Sequence, residues 1–97
     1  MKKVIADVSG ANFIGELHYV IREAFLSSGV GFPDFYGDNL DALRDCLTGF
    51  IETPVEIVLI GLDSLNGEVL EYAEKIAAVF SEAAQEKQGI TAICENK

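Results

Sequence analysis

Pro54 is followed by Val55-Glu56-Ile57-Val58-Leu59-Ile60, a near-continuous apolar run of strand length. A run of that kind suits a strand buried on both faces, as in parallel sheets, rather than one with a wet side. Parallel neighbours need long crossovers, usually helical, and the flanking sequence supplies them. Lys3 to Asp7 is a short β-rich run. Phe13, Leu17, Val20, Ile21 and Ala24 then recur at helical spacing, with Glu16, Arg22 and Glu23 on the other face and Asn12 as N-cap. Gly29 to Pro33 reads as a loop, and a second helix runs from about Asn39 to Thr48, with Leu40, Leu43 and Leu47 inward and Gly49 as its stop. After the apolar strand, Gly61 to Gly67 is a connection with a helical turn at Asp63 to Leu65. A long helix from Glu68 to Lys87 buries Val69, Ala73, Ile76, Ala77, Phe80 and Ala84. Gly89 ends it, and Ile90 to Cys94 is the last strand. Strand, helices, strand, helices, strand predicts one α/β domain over residues 1–97. Its core is a three-stranded parallel sheet with right-handed helical crossovers.

At 97 residues and 49% hydrophobic, the chain has ample material for one small core. Its net charge of −9 disfavours direct binding to nucleic acid and favours basic partners, whose encounter it accelerates. The basic start Met1-Lys2-Lys3 resembles a signal peptide, but Asp7 interrupts before an apolar core develops. No apolar run reaches the roughly 18 residues of a membrane span. Cys46 and Cys94 are too few for a disulfide scaffold, and with one histidine they lack the spacing of a metal site. These features predict a cytoplasmic protein with reduced thiols and no metal or cofactor.

The candidate chemistry lies in Phe35-Tyr36-Gly37-Asp38-Asn39-Leu40-Asp41-Ala42-Leu43-Arg44-Asp45-Cys46-Leu47-Thr48-Gly49. Asp38, Asp41 and Asp45 stand three and four residues apart, a spacing that places them on one helix face beside Phe35 and Tyr36. Like charges so placed cost a few tenths of a kcal/mol per pair. The helix N-terminus offsets this for Asp38 and Asp41 but not for Asp45. Glu82 and Glu86 repeat the i,i+4 acid spacing on the last helix, so side-by-side helices would gather four carboxylates on one edge. A face that works against its own helix points to an external cationic target. Two other readings compete. The acids are solvated surface, or Asp41 and Asp45 form a general acid/base pair or a magnesium site. The last wants a pocket, a polarising group or a phosphate-cradling loop, and the sequence offers no P-loop, no nucleophile elbow and no basic residue nearby besides Arg44.

Tyr36-Gly37-Asp38-Asn39-Leu40-Asp41-Ala42-Leu43, one variable position, then Asp45-Cys46-Leu47-Thr48-Gly49 resembles the barstar family of intracellular ribonuclease inhibitors, near-identically over about fourteen contiguous residues. Fainter similarity runs through Leu17-His18, Val79-Phe80, Glu82-Ala83 and Ile90-Thr91. The resemblance implies a sheet in order 1-2-3 packed with three to four helices. It also implies a cofactor-free 1:1 complex with a small basic, extracellular-type ribonuclease. Asp45 would then mimic phosphate in the enzyme's active site, and Asp41 would pair with an enzyme arginine. Tyr36, Gly37 and Asn39 would cover the cleft, Thr48 would touch its periphery, and Glu82 would meet a basic residue. Phe35 stands where the family pattern has a second tyrosine, and Arg44 where it has tryptophan. Arg44 therefore introduces a cation between the two inhibitory aspartates, placed to pair with Asp41 at i−3. Two alternatives stay open: a barstar-fold binding module for another basic protein, and a carboxylate-based hydrolase.

The remaining singled-out residues read as structural. His18 is read as a partly exposed structural residue rather than a catalyst. Cys46 and Cys94 are read as packing residues, and Phe13, Phe25 and Phe80 as core.

Overall fold

The computed structural model describes residues 1–33 and 36–96. The chain runs β1 (Lys2–Asp7), α1 (Ile14–Ser28), α2 (Leu40–Gly49), β2 (Val55–Ile60), a 3-10 turn (Leu62–Ser64), α3 (Gly67–Glu86) and β3 (Ile90–Glu95). The strands form one parallel sheet in the order β1-β2-β3, as the pattern predicts. Val4 pairs with Ile57, and Ile57 with Ala92.

The hydrophobic alternation decides which face the helices cover. Val4, Ala6, Val55, Ile57, Leu59 and Ile90 are buried. On the opposite face Ile5 and Ile93 stay exposed, while Val58 between them is buried. Only the central strand therefore meets the expectation of burial on both faces. α1 packs on β1, α3 on β3, and α2 on α3. Leu17, Ile21 and Phe25 of α1 meet Leu43, Cys46 and Leu47 of α2 and Ala73, Ile76, Val79, Phe80 and Ala83 of α3 in one core. Val79 and Ala83 join the α3 stripe, whereas Val69, Ala77 and Ala84 pack at its margin.

At the end of β2, Gly61 adopts φ +96, and a Cβ there would lie 2.7 Å from the Ser9 backbone nitrogen. Only glycine fits so close an approach at positive φ. Its N–H donates to the Glu95 carbonyl and so helps hold the C-terminal edge of the sheet together.

Several local expectations are corrected. Phe13, not Asn12, is the N-cap of α1, and it makes no side-chain cap bond. Glu16 supplies a reverse cap instead, its Oε1 accepting the Asn12 N–H at 2.6 Å. Phe13 thus lies before the helical period starts, and the residue is 60% exposed rather than core. α2 continues through Gly49 to a C-cap at Phe50, whose N–H reaches the Cys46 carbonyl. Cys94 is exposed, because burial fades toward the C-terminal end of the edge strand β3.

Candidate functional site

Asn39 starts α2. Its Oδ1 accepts the Ala42 N–H at 2.8 Å, its carbonyl accepts the Leu43 N–H, and its Nδ2 donates to the Gly37 carbonyl at 3.2 Å. A side-chain N-cap of this kind typically contributes about 1 kcal/mol. It also fixes the rotation of the helix. With Leu43, Cys46 and Leu47 inward, Asp41 and Asp45 stand exposed on the opposite side. Burial, with help from the Asp45 charge, pushes the Cys46 thiol up, as befits a packing residue rather than a nucleophile.

α2 lies against α3, and Arg44 spans the seam. Its Nη2 donates to Glu82, and its Nη1 lies 3.6 Å from Glu86. The i−3 pairing with Asp41 is therefore displaced by two carboxylates set one turn apart on the facing helix. Among the described residues Asp41 and Asp45 form no ion pair. Thr48 lies on the same side, half-buried, its hydroxyl donating to the Arg44 carbonyl. Asp41, Arg44, Asp45, Thr48 and Glu82 thus form one charged strip, in which Arg44 compensates Glu82 and leaves the two aspartates open.

The preceding loop is arranged differently from the expectation. Asp38 lies outside the helix, at φ 54, and bonds Arg22 of α1 at 2.7 Å. It therefore does not join the Asp41–Asp45 face. Gly37 and Asn39 are exposed. A Cβ on Gly37 would sit 3.3 Å from Asn39 Nδ2, crowding the capping side chain. Tyr36 turns its ring inward, 4% exposed, and its hydroxyl lies 2.5 Å from His18 Nδ1. Phe35 lies outside the described residues.

His18 is buried rather than partly exposed. The Tyr72 hydroxyl lies 2.8 Å from its Nε2, so both ring nitrogens have partners. A neutral imidazole has one donor and one acceptor, and hydroxyls satisfy either. That satisfaction is what permits burial. Burial lowers the His18 pKa, the Asp38 charge opposes that shift, and Arg22 adds to it. Above the ordinary value of 6.5 the ring is neutral folded and unfolded alike. Below it the unfolded chain takes up the proton first, so stability falls as pH drops from 6.5 toward the folded-state value. Urea unfolding of the parent at stepped pH is expected to show this loss, at a limiting slope of about 1.4 kcal/mol per pH unit. His18→Gln should lack the step. Parallel curves for the two proteins would refute it.

Among the described residues no group of three His, Cys, Asp or Glu side chains is placed to hold a metal ion. No helix among them is long and apolar enough to cross a membrane. Surface depressions lie by Glu71, Glu74, Lys75 and Ala78 and by the β1–α1 loop, neither lined by Asp41 or Asp45. Arg22, which the periodicity of α1 places on its outer face, proves to contact the loop before α2. Its signal was available only as the i,i+4 pair His18/Arg22, one turn apart on α1.

The family model described as Barstar (barnase inhibitor) matches residues 1–95. A curated protein of Bacillus subtilis (strain 168), named "Putative ribonuclease inhibitor YrdF", is 37% identical over 86 residues, which cover 89% of each chain.

Proposed function

The chain belongs to the barstar family, and we propose that it is an intracellular inhibitor of a small, basic, secreted ribonuclease of the barnase type. It acts one to one and without cofactor, by seating the α2 face in the enzyme's active site and so protecting the producing cell. The observation that carries this reading is the strip itself: Asp41 and Asp45 are exposed, one helical turn apart and without an ion pair among the described residues.

A ribonuclease holds its substrate's phosphates with cationic side chains. Carboxylates at comparable spacing form charge-assisted hydrogen bonds with the same groups. Asp45 is assigned the central phosphate-mimicking role and Asp41 a second arginine partner. Gly37 and Asn39 cover the cleft beside Phe35, while Tyr36, its ring buried against His18, supports that loop from beneath. Thr48 touches the rim, and Glu82 meets a basic residue at the edge. The net charge of −9 steers encounter with a cationic enzyme.

Arg44 favours a second reading, a barstar-fold module for a different basic protein. It draws Glu82 and Glu86 into an internal cluster and sets a cation between Asp41 and Asp45, so the strip offers a mixed charge pattern that calls for a basic partner of correspondingly different charge layout. One experiment separates the two. RNA cleavage by each of a panel of small microbial ribonucleases is titrated with the purified chain. Linear loss of activity to an end point at one equivalent is the expected result. Undiminished cleavage at large molar excess across the panel would remove the inhibitor reading in favour of the second.

A further inference from the structure

Arg22 of α1 makes more contacts with the loop before α2 than a surface cation needs. Its Nη2 donates to the Tyr36 carbonyl at 2.9 Å and to Asp38 Oδ1 at 2.7 Å. Its guanidinium carbon stands 5.5 Å from the centroid of the Tyr36 ring. Its Nε is buried without a partner, a desolvated donor tolerated because the rest of the group is held. One turn earlier on the same helix, His18 holds the other end of Tyr36 through its hydroxyl. The loop is thus gripped from α1 at a ring, a carbonyl and a carboxylate.

What is gripped is a strained piece of chain. Asp38 is the non-glycine residue at positive φ among those described, a conformation that persists only when its surroundings impose it. The next residue is Asn39, whose side chain caps α2 and bonds back to Gly37. Rotation of the loop would therefore move the cap, and with it the first turn that carries Asp41. We infer that Arg22 is a positioning residue for the α2 binding face, acting through Asp38 and the Tyr36 carbonyl to hold the loop and helix start in their bound geometry before a partner arrives. This rests on the proposed inhibitor role only for its binding consequence. The ordering of the loop is a property of the free protein. A preorganised surface binds more tightly because less freedom is lost on association.

The test has two arms that fail separately. In the first, amide hydrogen exchange is measured on free parent, Arg22→Met and Arg22→Lys. Arg22→Met is expected to speed exchange at Ala42 and Leu43, whose N–H groups bond Asn39, by about tenfold or more relative to the β2 amides of Ile57 and Leu59. Arg22→Lys, which keeps a donor for Asp38, should recover part of that protection. Equal acceleration at α2 and β2, or none at either, would overturn the inference. Should Arg22→Met fail to fold, Asp38→Asn removes the same ion pair from the loop side and is read by the same amides.

In the second arm the variants are titrated against a ribonuclease that the parent inhibits. Arg22→Met should bind about tenfold more weakly at a temperature where both proteins are fully folded, with Arg22→Lys in between. Parent-like affinity would overturn the positioning role. If the parent inhibits no ribonuclease, the inhibitor reading falls, and the exchange arm still decides the inference.

Discussion

Asp45→Ala is expected to weaken the complex with a small basic ribonuclease by about 2–5 kcal/mol or more, mainly through faster dissociation, a range for close interfacial charge pairs to which the barnase–barstar complex itself contributes. Asp45 is exposed in the free chain and has no ion pair among the described residues. Seated in a cationic cleft it becomes desolvated, and its removal strands the enzyme's cations without a partner. Folding should hardly notice. The change removes a like charge one turn from Asp41, worth a few tenths of a kcal/mol, and places alanine, the best helix former, in a helix interior. Glu82→Ala should cost less binding, because Glu82 already bonds Arg44 within the chain. Inhibition titrations and thermal melts of the two variants decide the matter. Parent-like binding by Asp45→Ala together with failure of Glu82→Ala or Glu86→Ala would move the binding face onto α3.

The sheet and its helices were legible because each rests on a local pattern that burial enforces. Val55–Ile60 cannot be left in water, and the 3.6-residue stripes of α1 and α3 have a single side to hide. The start of α2 near Asn39 and the inward Leu43 and Leu47 follow from spacing within one helix, whereas the cap that Asn39 supplies comes from the structure. What escaped is set by distant neighbours. Asp38 looks like a member of the acidic row until Arg22, sixteen residues earlier, draws it toward α1. Arg44 looks like the partner of Asp41 until α3 brings Glu82 and Glu86 across the seam. His18 is a poor core residue by composition and a good one once two tyrosine hydroxyls, from a loop and from α3, meet its nitrogens. In each case the sequence names the residue and its chemistry, while the partner comes from another element. Charge and hydrogen-bonding capacity are local properties; their satisfaction is a tertiary one.

Phe25 and Phe13 lie at equivalent-looking helical positions, and their alanine variants are expected to behave in opposite ways. Phe25 is fully buried. Its ring stacks on Phe32 at 4.8 Å between centroids and lies 6.2 Å from Phe80. Phe32 in turn meets Tyr36 edge-on at 5.2 Å. This aromatic chain joins the core of α1 and α3 to the loop that precedes the binding helix. Phe25→Ala leaves a cavity among rigid rings and should destabilise by about 3–5 kcal/mol. Domains of this kind have only about 5–15 kcal/mol in total. At about 4–8 °C per kcal/mol for a domain of this size, the melting temperature should fall by tens of degrees. Inhibition should fall with the folded fraction, and recover on cooling because Asp41 and Asp45 are untouched. Phe13→Ala removes an exposed ring at the N-cap and should shift stability by no more than about 0.5 kcal/mol. Differential scanning calorimetry of both variants is the check. A fall of only a few degrees for Phe25→Ala would mean that the aromatic chain is not what joins the core to the binding loop, and a larger fall for Phe13→Ala would mean that its exposed ring is held against the domain after all.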